Sequence, residues 1–206
     1  KRAATNIRTE LNRARRDGVA IVEWGATATP ETDLYRLLAE HEARLNARAT
    51  HIKPGIYGRL SEALGDDFRV LLGTCNGRLQ GVVAFARSGN RGYVTYPGLV
   101  DEAERAGSLY FNLMYYQPIR TAIALGLDSI AFGNAALEAK IRRGCSVRAG
   151  ALCFRPRTRT MRVALRAPVA IHRRSLLRKY RRALRAAPFY SLAASSHARP
   201  ADQRTP

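Results

Sequence analysis

Two apolar runs separated by an Asn-Gly pair constrain this chain more than any other stretch. Phe68-Arg69-Val70-Leu71-Leu72-Gly73-Thr74 and Leu79 to Ala86 flank Asn76-Gly77, and Asn-Gly readily takes the positive φ angles of a tight hairpin turn. A second polar turn, Ser88-Gly89-Asn90-Arg91-Gly92, leads into Tyr93-Val94-Thr95-Tyr96. The expectation is a three-strand antiparallel meander. Upstream, Ile7, Leu11 and Ala14 recur at helical spacing before Gly18, and Val19 to Trp24 reads as a short strand. Thr29-Pro30-Glu31 predicts a helix start with Thr29 as N-cap and Pro30 first in the helix. Leu34, Leu37, Leu38, His41 and Leu45 then share one face, which makes His41 a core histidine. A second helix follows Pro54, with Tyr57, Leu60 and Leu64 inward and Gly65 as its stop.

Beyond Pro97-Gly98 the pattern predicts an acidic loop (Asp101, Glu102, Glu104) and a long helix from about Ser108 to Leu125, stopped by Gly126. Pro118 inside that helix removes one backbone hydrogen bond and predicts a kink. Ser129 to Phe132 reads as a buried strand whose partner is open to being parallel. A short helix over 135–143 ends at Gly144, and a last strand is expected over 149–154. Arg155, Arg157, Arg159 and Arg162 alternate as in an extended segment, and 169–186 forms a helix without one acid. The order of elements gives a mixed α/β (α+β) fold with a mostly antiparallel central sheet flanked by helices. The domain reading is 1–155 for the main domain, 156–186 for a basic extension with a helix, and 187–206 for a disordered tail.

Composition narrows the chemistry. Cys75, Cys145 and Cys153 form no CxxC pair and the chain has 4 His, so the expectation is no disulfide framework, no metal site and a cytoplasmic setting. No apolar run approaches the roughly 20 residues of a membrane span. The chain opens on Lys1 rather than Met, as expected of a stretch belonging to a longer protein. The formal net charge is +19, and residues 151–206 hold 14 Lys+Arg against 1 acid. That points to affinity for phosphate, on nucleotide, lipid or RNA.

Two stretches are rich in candidate functional groups. Tyr110-Phe111-Asn112-Leu113-Met114-Tyr115-Tyr116 puts aromatics on several faces of one helix, so some are expected to border a cleft. A mixed sheet can splay where the meander meets the later strand, and a gap facing the start of the Ser108 helix suits a phosphate-bearing ligand. Gly107, Ser108 and Leu109 are the candidate N–H donors for it. The second stretch, Gly133-Asn134 through Glu138, Lys140 and Arg143 to Gly144-Cys145, follows a strand directly. Asn134 is the expected helix cap, and Glu138 with Arg142 forms an ordinary i,i+4 pair. Lys140 and Arg143, three apart, have no acid near them on their face and suit a phosphate or an oxyanion. Cys145 has no His in a recognisable partner motif, so it reads as a structural thiol.

These residues carry a resemblance. Tyr110-Phe111-Asn112, Tyr115-Tyr116, the helix to Gly126, Phe132-Gly133, Glu138-Ala139-Lys140 and Arg143-Gly144-Cys145 resemble the C-terminal block of the FemABX-like, peptidoglycan-biosynthesis-type branch of the GNAT acyltransferase superfamily. The opening from Asn6 to Val19 is similar to the segment that begins that domain. The likeness covers roughly residues 5–155. It implies a GNAT-like fold and transfer of an acyl or aminoacyl group to an amine, with acyl-CoA or aminoacyl-tRNA as donor. It also implies a place for Lys140 near the acyl-transfer centre. One departure stands out: where typical GNAT enzymes carry Gln/Arg-x-x-Gly-x-Gly/Ala before the long helix, this chain has Glu104-Arg105-Ala106-Gly107-Ser108-Leu109.

Acyl transfer to an amine requires deprotonation of the amine, stabilisation of a tetrahedral oxyanion and protonation of the leaving group. The expected assignment is Lys140 for the oxyanion or donor phosphate and Tyr110, Tyr115 or Tyr116 for the leaving-group acid. Glu138 is the candidate base. Arg143 joins the donor site, and Asn112, Tyr115 and Asn134 the acceptor site. The acceptor is a small-molecule or peptide amine. Residues 155–186 are a candidate contact for tRNA or an anionic membrane.

Overall fold

The computed structural model describes residues 2–106, 108–133, 137–147 and 156–185. The chain divides into two compact units, residues 1–134 and 135–206. The first unit is organised by one five-stranded sheet in the order β1-β2-β3-β4-β5. Its strands are β1 (Val19–Glu23), β2 (Phe68–Cys75), β3 (Arg78–Ser88), β4 (Arg91–Leu99) and β5 (Ser129–Ala131). All neighbours are antiparallel except β4 and β5. The meander forms as expected: Asn76 and Gly77, at φ 49° and 75°, make the hairpin turn.

Period-two alternation splits the sheet into two faces. Phe68, Val70 and Leu72 of β2, with Val82 and Ala84 of β3, pack under helices α2 (Glu31–Asn46) and α3 (Ile56–Leu64) through Leu34, Leu37, Leu38 and Tyr57. Leu71 and Val83 point the other way. There they meet α1 (Arg2–Arg16) and the helix that runs from α5 (Ser108–Phe111) through a wide turn at Asn112–Tyr116 into α6 (Gln117–Ala124). That helix sits close to the sheet because Gly73 and Gly81, opposite each other on β2 and β3, have no side chain. A Cβ on Gly81 would stand 2.7 Å from Leu113, and one on Gly73 2.5 Å from Leu109.

Several expectations are corrected. The helix after Thr29 begins at Glu31 with Pro30 as its N-cap residue, and the Thr29 hydroxyl meets that of Thr27 at 3.2 Å instead. Leu45 and Leu64 are exposed, because each lies in the last turn of its helix where the inward face has run past the sheet. Asp101 to Ala106 is not a loop but a short helix, α4. β4 does not stop at Tyr96 but continues through Pro97-Gly98 to Leu99.

The second unit contains α7 (Leu137–Arg142) and α8 (Arg159–Arg185). Arg159 and Arg162 are helical rather than extended. Met161 N–H bonds the Thr158 hydroxyl at 3.1 Å, so Thr158 caps α8 ten residues earlier than the sequence pattern suggested. The strand expected over 149–154 and the tail expected over 187–206 lie outside the described residues.

Candidate active site

The parallel ladder between β4 and β5 is three residues long: Arg91 faces Ser129, Gly92 faces Ile130 and Tyr93 faces Ala131. β4 then runs on from Val94 to Leu99 with no β5 residue opposite. Among the described residues, then, no strand pairs with residues 94–99 on that side, at the junction where the sequence pattern anticipated an opening. The cause is visible in β4 itself. Thr95 pairs with Ala84 and Gly98 with Val82, so Tyr96 and Pro97 stand against the single residue Val83. This bulge bends and twists the strand. Tyr96 takes φ 48°, and Pro97 has no N–H to give to a further strand.

The open half of β4 is held from the α2 and α3 side. The Tyr57 hydroxyl donates to Tyr96 O at 2.8 Å. Burial first, then the carboxylates of Glu31 and Glu42, push that hydroxyl well above the ordinary tyrosine range, so it stays a donor. Arg44 Nη2 donates to Leu99 O at 2.5 Å and lies 3.3 Å from His41 Nδ1. His41 is buried in the α2 core, as expected. At Gly98 the α2 backbone itself presses against β4.

On the other face, the turn at Asn112–Tyr116 is wider than α-helical: Gln117 N–H bonds Asn112 O, five residues back. The reason follows one residue later. Pro118 has no N–H, and in an α-helix its ring would clash with the carbonyl four residues before it. A wide turn accommodates it and buries Asn112, Leu113, Met114, Tyr115 and Tyr116 consecutively. The expected kink is thus a π-helical turn, and Tyr115 and Tyr116 are core residues rather than cleft-edge ones. Tyr115 packs on Phe132, the residue after β5, with ring centroids 5.2 Å apart. Its hydroxyl lies 3.5 Å from that of half-buried Tyr110. The aromatic cluster therefore stands at the end of β5, where the ladder stops.

Ser108 and Leu109 are buried, and the Leu109 side chain packs on Gly73. Asn112 Nδ2 donates to Ser108 O at 2.8 Å, so its amide N–H serves its own helix. Tyr116 donates its hydroxyl to Glu10 of α1. Sequence reasoning missed Glu10, although a signal was present: it is the one acid in residues 1–16 and sits between Ile7, Leu11 and Ala14 on the apolar stripe. Gly107 and Asn134 lie outside the described residues. A separate depression of about 510 Å³, lined by Glu23, Trp24, Ser61 and Arg69 among others, lies at the β1–β2 edge away from the opening.

In the second unit, Lys140 on α7 is only 7% exposed. Burial lowers its pKa, against an opposing pull from Cys145. The chain turns back at once, with Cys145 N–H bonding Lys140 O at 3.0 Å. Arg143 Nη1 donates to Ala139 O at 3.1 Å, so the guanidinium is engaged with its own helix, and Lys140 too has interactions of its own. Neither is the spare cation that the sequence pattern suggested. Burial pushes the Cys145 thiol up despite Lys140 and Arg143. A thiol in that state is a weak nucleophile, in keeping with a structural role. Glu138 is exposed in the first turn of α7.

Residues 1–140 match the family described as Acetyltransferase (GNAT) domain. The chain belongs to the GNAT acetyltransferase family and is an acyltransferase. No curated protein matches the sequence. Among solved structures, a Trypanosoma brucei acetyltransferase is similar at 12% identity and TM-score 0.48, covering 67% of this chain and 99% of that one. An aminoglycoside acetyltransferase from an uncultured soil metagenomic sample is similar at 12% identity and TM-score 0.48, over 69% and 97%. A predicted acetyltransferase with acetyl-CoA from Clostridium acetobutylicum is similar at 12% identity and TM-score 0.49, over 66% and 96%. The family assignment rests on the match over 1–140, not on these distant likenesses.

Proposed function

We propose that this chain moves an acyl group from acyl-CoA to the amine of a small molecule or peptide, with the donor lying in the opening between β4 and β5. The observation that carries the reading is the ladder that ends at Tyr93 and Ala131, leaving the bulged half of β4 without a strand on that side among the described residues. An extended thioester arm can use the backbone groups that such an edge leaves over. In the reaction the amine nitrogen bonds the carbonyl carbon, the C–S bond breaks, and the departing thiolate takes up a proton. Half-buried Tyr110, whose hydroxyl lies 3.5 Å from that of Tyr115 at the end of β5, is the proposed source of that proton. In the second unit, taken by itself, Lys140 is the proposed stabiliser of an oxyanion, with Glu138 as the weaker proposal for base.

Within the family we assign the chain to the FemABX-like branch, on the residues from Tyr110 to Cys145 that resemble it. One observation favours a second donor, aminoacyl-tRNA. α4 is helical to Ala106 and α5 begins at Ser108, with Asp101, Glu102 and Glu104 in α4. The sequence at that junction, Glu104-Arg105-Ala106-Gly107-Ser108-Leu109, lacks the glycine spacing of a pyrophosphate loop. Thermal unfolding separates the donors. Saturation with acetyl-CoA at about 100 times Kd is expected to add ~2.7 kcal/mol, a rise in Tm of roughly 5–11 °C for a chain of this size. A rise with aminoacyl-tRNA and none with acetyl-CoA transfers the assignment to the second donor. No rise with either contradicts both.

A further inference from the structure

We propose that α8 docks the protein on an anionic membrane surface, lying along it rather than crossing it. From Arg159 to Arg178 every side chain is exposed except Leu165, which is half-buried. The exposed set includes large apolar groups, among them Met161 at 53%, Val169 at 43% and Leu176 at 36%. Water gives no return for exposing them. Met161, Leu165, Val169, His172 and Leu176 follow one another at intervals of three or four, so at 100° per residue they share one arc of the helix. No arginine of 159–178 falls in that arc. Arg159, Arg162, Arg166, Arg173, Arg174 and Arg178 lie outside it, and the whole helix from Arg159 to Arg185 carries no acid. Val163, Ile171 and Leu177 interrupt the arginine side, where a long arginine stem can lie over them while its head reaches a phosphate.

Three partners can be weighed against this surface. A nucleic acid satisfies the arginines but leaves the aliphatic arc in water. A second copy of the helix covers the arc but brings like charge against like charge, with no acid on either side. An anionic bilayer satisfies both halves at once: the arc sinks to the boundary of headgroup and acyl chain, and the guanidinium groups meet lipid phosphates. Spanning is not an option for α8, because no helix among the described residues is long and apolar enough to cross a membrane.

The test is co-sedimentation of the full chain with vesicles of phosphatidylcholine alone or mixed with phosphatidylglycerol, at about 0.15 M salt. The expected result is binding at least about tenfold tighter to the mixed vesicles. The combined variant Met161→Gln, Val169→Gln, Leu176→Gln keeps every cation and a good helix former at each position. It is expected to bind the mixed vesicles at least about tenfold more weakly, with unchanged Tm and unchanged acyl transfer. Arg173→Gln with Arg174→Gln and Arg178→Gln is expected to weaken the same binding. Full vesicle binding by the apolar-arc variant overturns the proposal, since only charge is then at work. So does tRNA that binds more tightly than the vesicles and binds that variant as well as the parent, which makes α8 an RNA contact. Equal binding to both vesicle types also overturns it.

Discussion

Gly98→Ala is expected to lower the thermal midpoint by roughly 6–12 °C, through a loss of about 3 kcal/mol or more. A Cβ at this position would stand 2.5 Å from Leu38 N, 2.7 Å from the Leu37 carbonyl carbon and 2.9 Å from Leu38 Cα. These are backbone atoms in the middle of α2, next to the fully buried Leu34 and Leu38, so no side chain can swing aside to relieve the clash. Either α2 lifts from the sheet or β4 shifts, and both disturb the bulge that opens the sheet. The companion change Gly25→Ala has nothing within 4 Å of its new Cβ and no positive φ. It is expected to be neutral, within about 0.5 kcal/mol. Melting followed by circular dichroism compares the two. A Gly98→Ala protein that melts within about 2 °C of the parent contradicts the packing described for α2 and β4.

Lys140→Met is expected to reduce acyl transfer at least about tenfold, roughly 1.4 kcal/mol of transition-state stabilisation, while leaving the fold as stable as before or more so. The two halves of this expectation have separate causes. An ammonium held away from water is costly, and burial lowers its pKa. Between that lowered folded value and the ordinary lysine value, the unfolded chain binds the proton more tightly. The parent therefore gains stability as pH rises through that window, and below the window it carries the burial penalty in full. Methionine has a similar shape and no charge, so it removes the penalty. The stability advantage of the variant is expected to shrink as pH rises through the window, and steady-state turnover with melts across pH checks both halves. Unchanged turnover removes Lys140 from the mechanism. A variant that unfolds instead shows that the lysine is needed structurally.

Elements whose formation is local were legible in the sequence. Asn76-Gly77 encodes its own turn, and Gly18, Gly126 and Gly144 end their helices at φ 64°, 65° and 87°. Ser129 to Phe132 was readable as a strand, with a parallel partner left open, because a helix delivers it directly to the sheet, and the structure makes that partner β4. What was not legible depends on neighbours distant in sequence. Pro97-Gly98 has the composition of a turn, yet it lies inside β4, because the missing side chain of Gly98 is what lets α2 approach. The bond from Tyr116 to Glu10 spans 106 residues, so no spacing rule connects them. The start of α8 was a misreading of a different kind. Alternating arginines suggested an extended chain, while Thr158 and the recurrence of Met161, Leu165 and Val169 carried the helical signal.

Of the site, the opening of the sheet and the aromatic helix beside it were readable, because the strand order forces a junction between antiparallel and parallel pairing. The roles of individual side chains were less so. Tyr115 and Tyr116 looked like cleft residues until the wide turn before Pro118 showed how one helix buries them together.

The most direct test of the opening as the donor site is amide hydrogen exchange with and without saturating acetyl-CoA. Slower exchange, by at least about tenfold, is expected at the amides of Val94, Thr95, Tyr96, Gly98, Leu99, Phe132 and Gly133. Unchanged exchange at those amides under saturating donor, with protection appearing instead at the β1–β2 edge around Trp24 and Arg69, would contradict it.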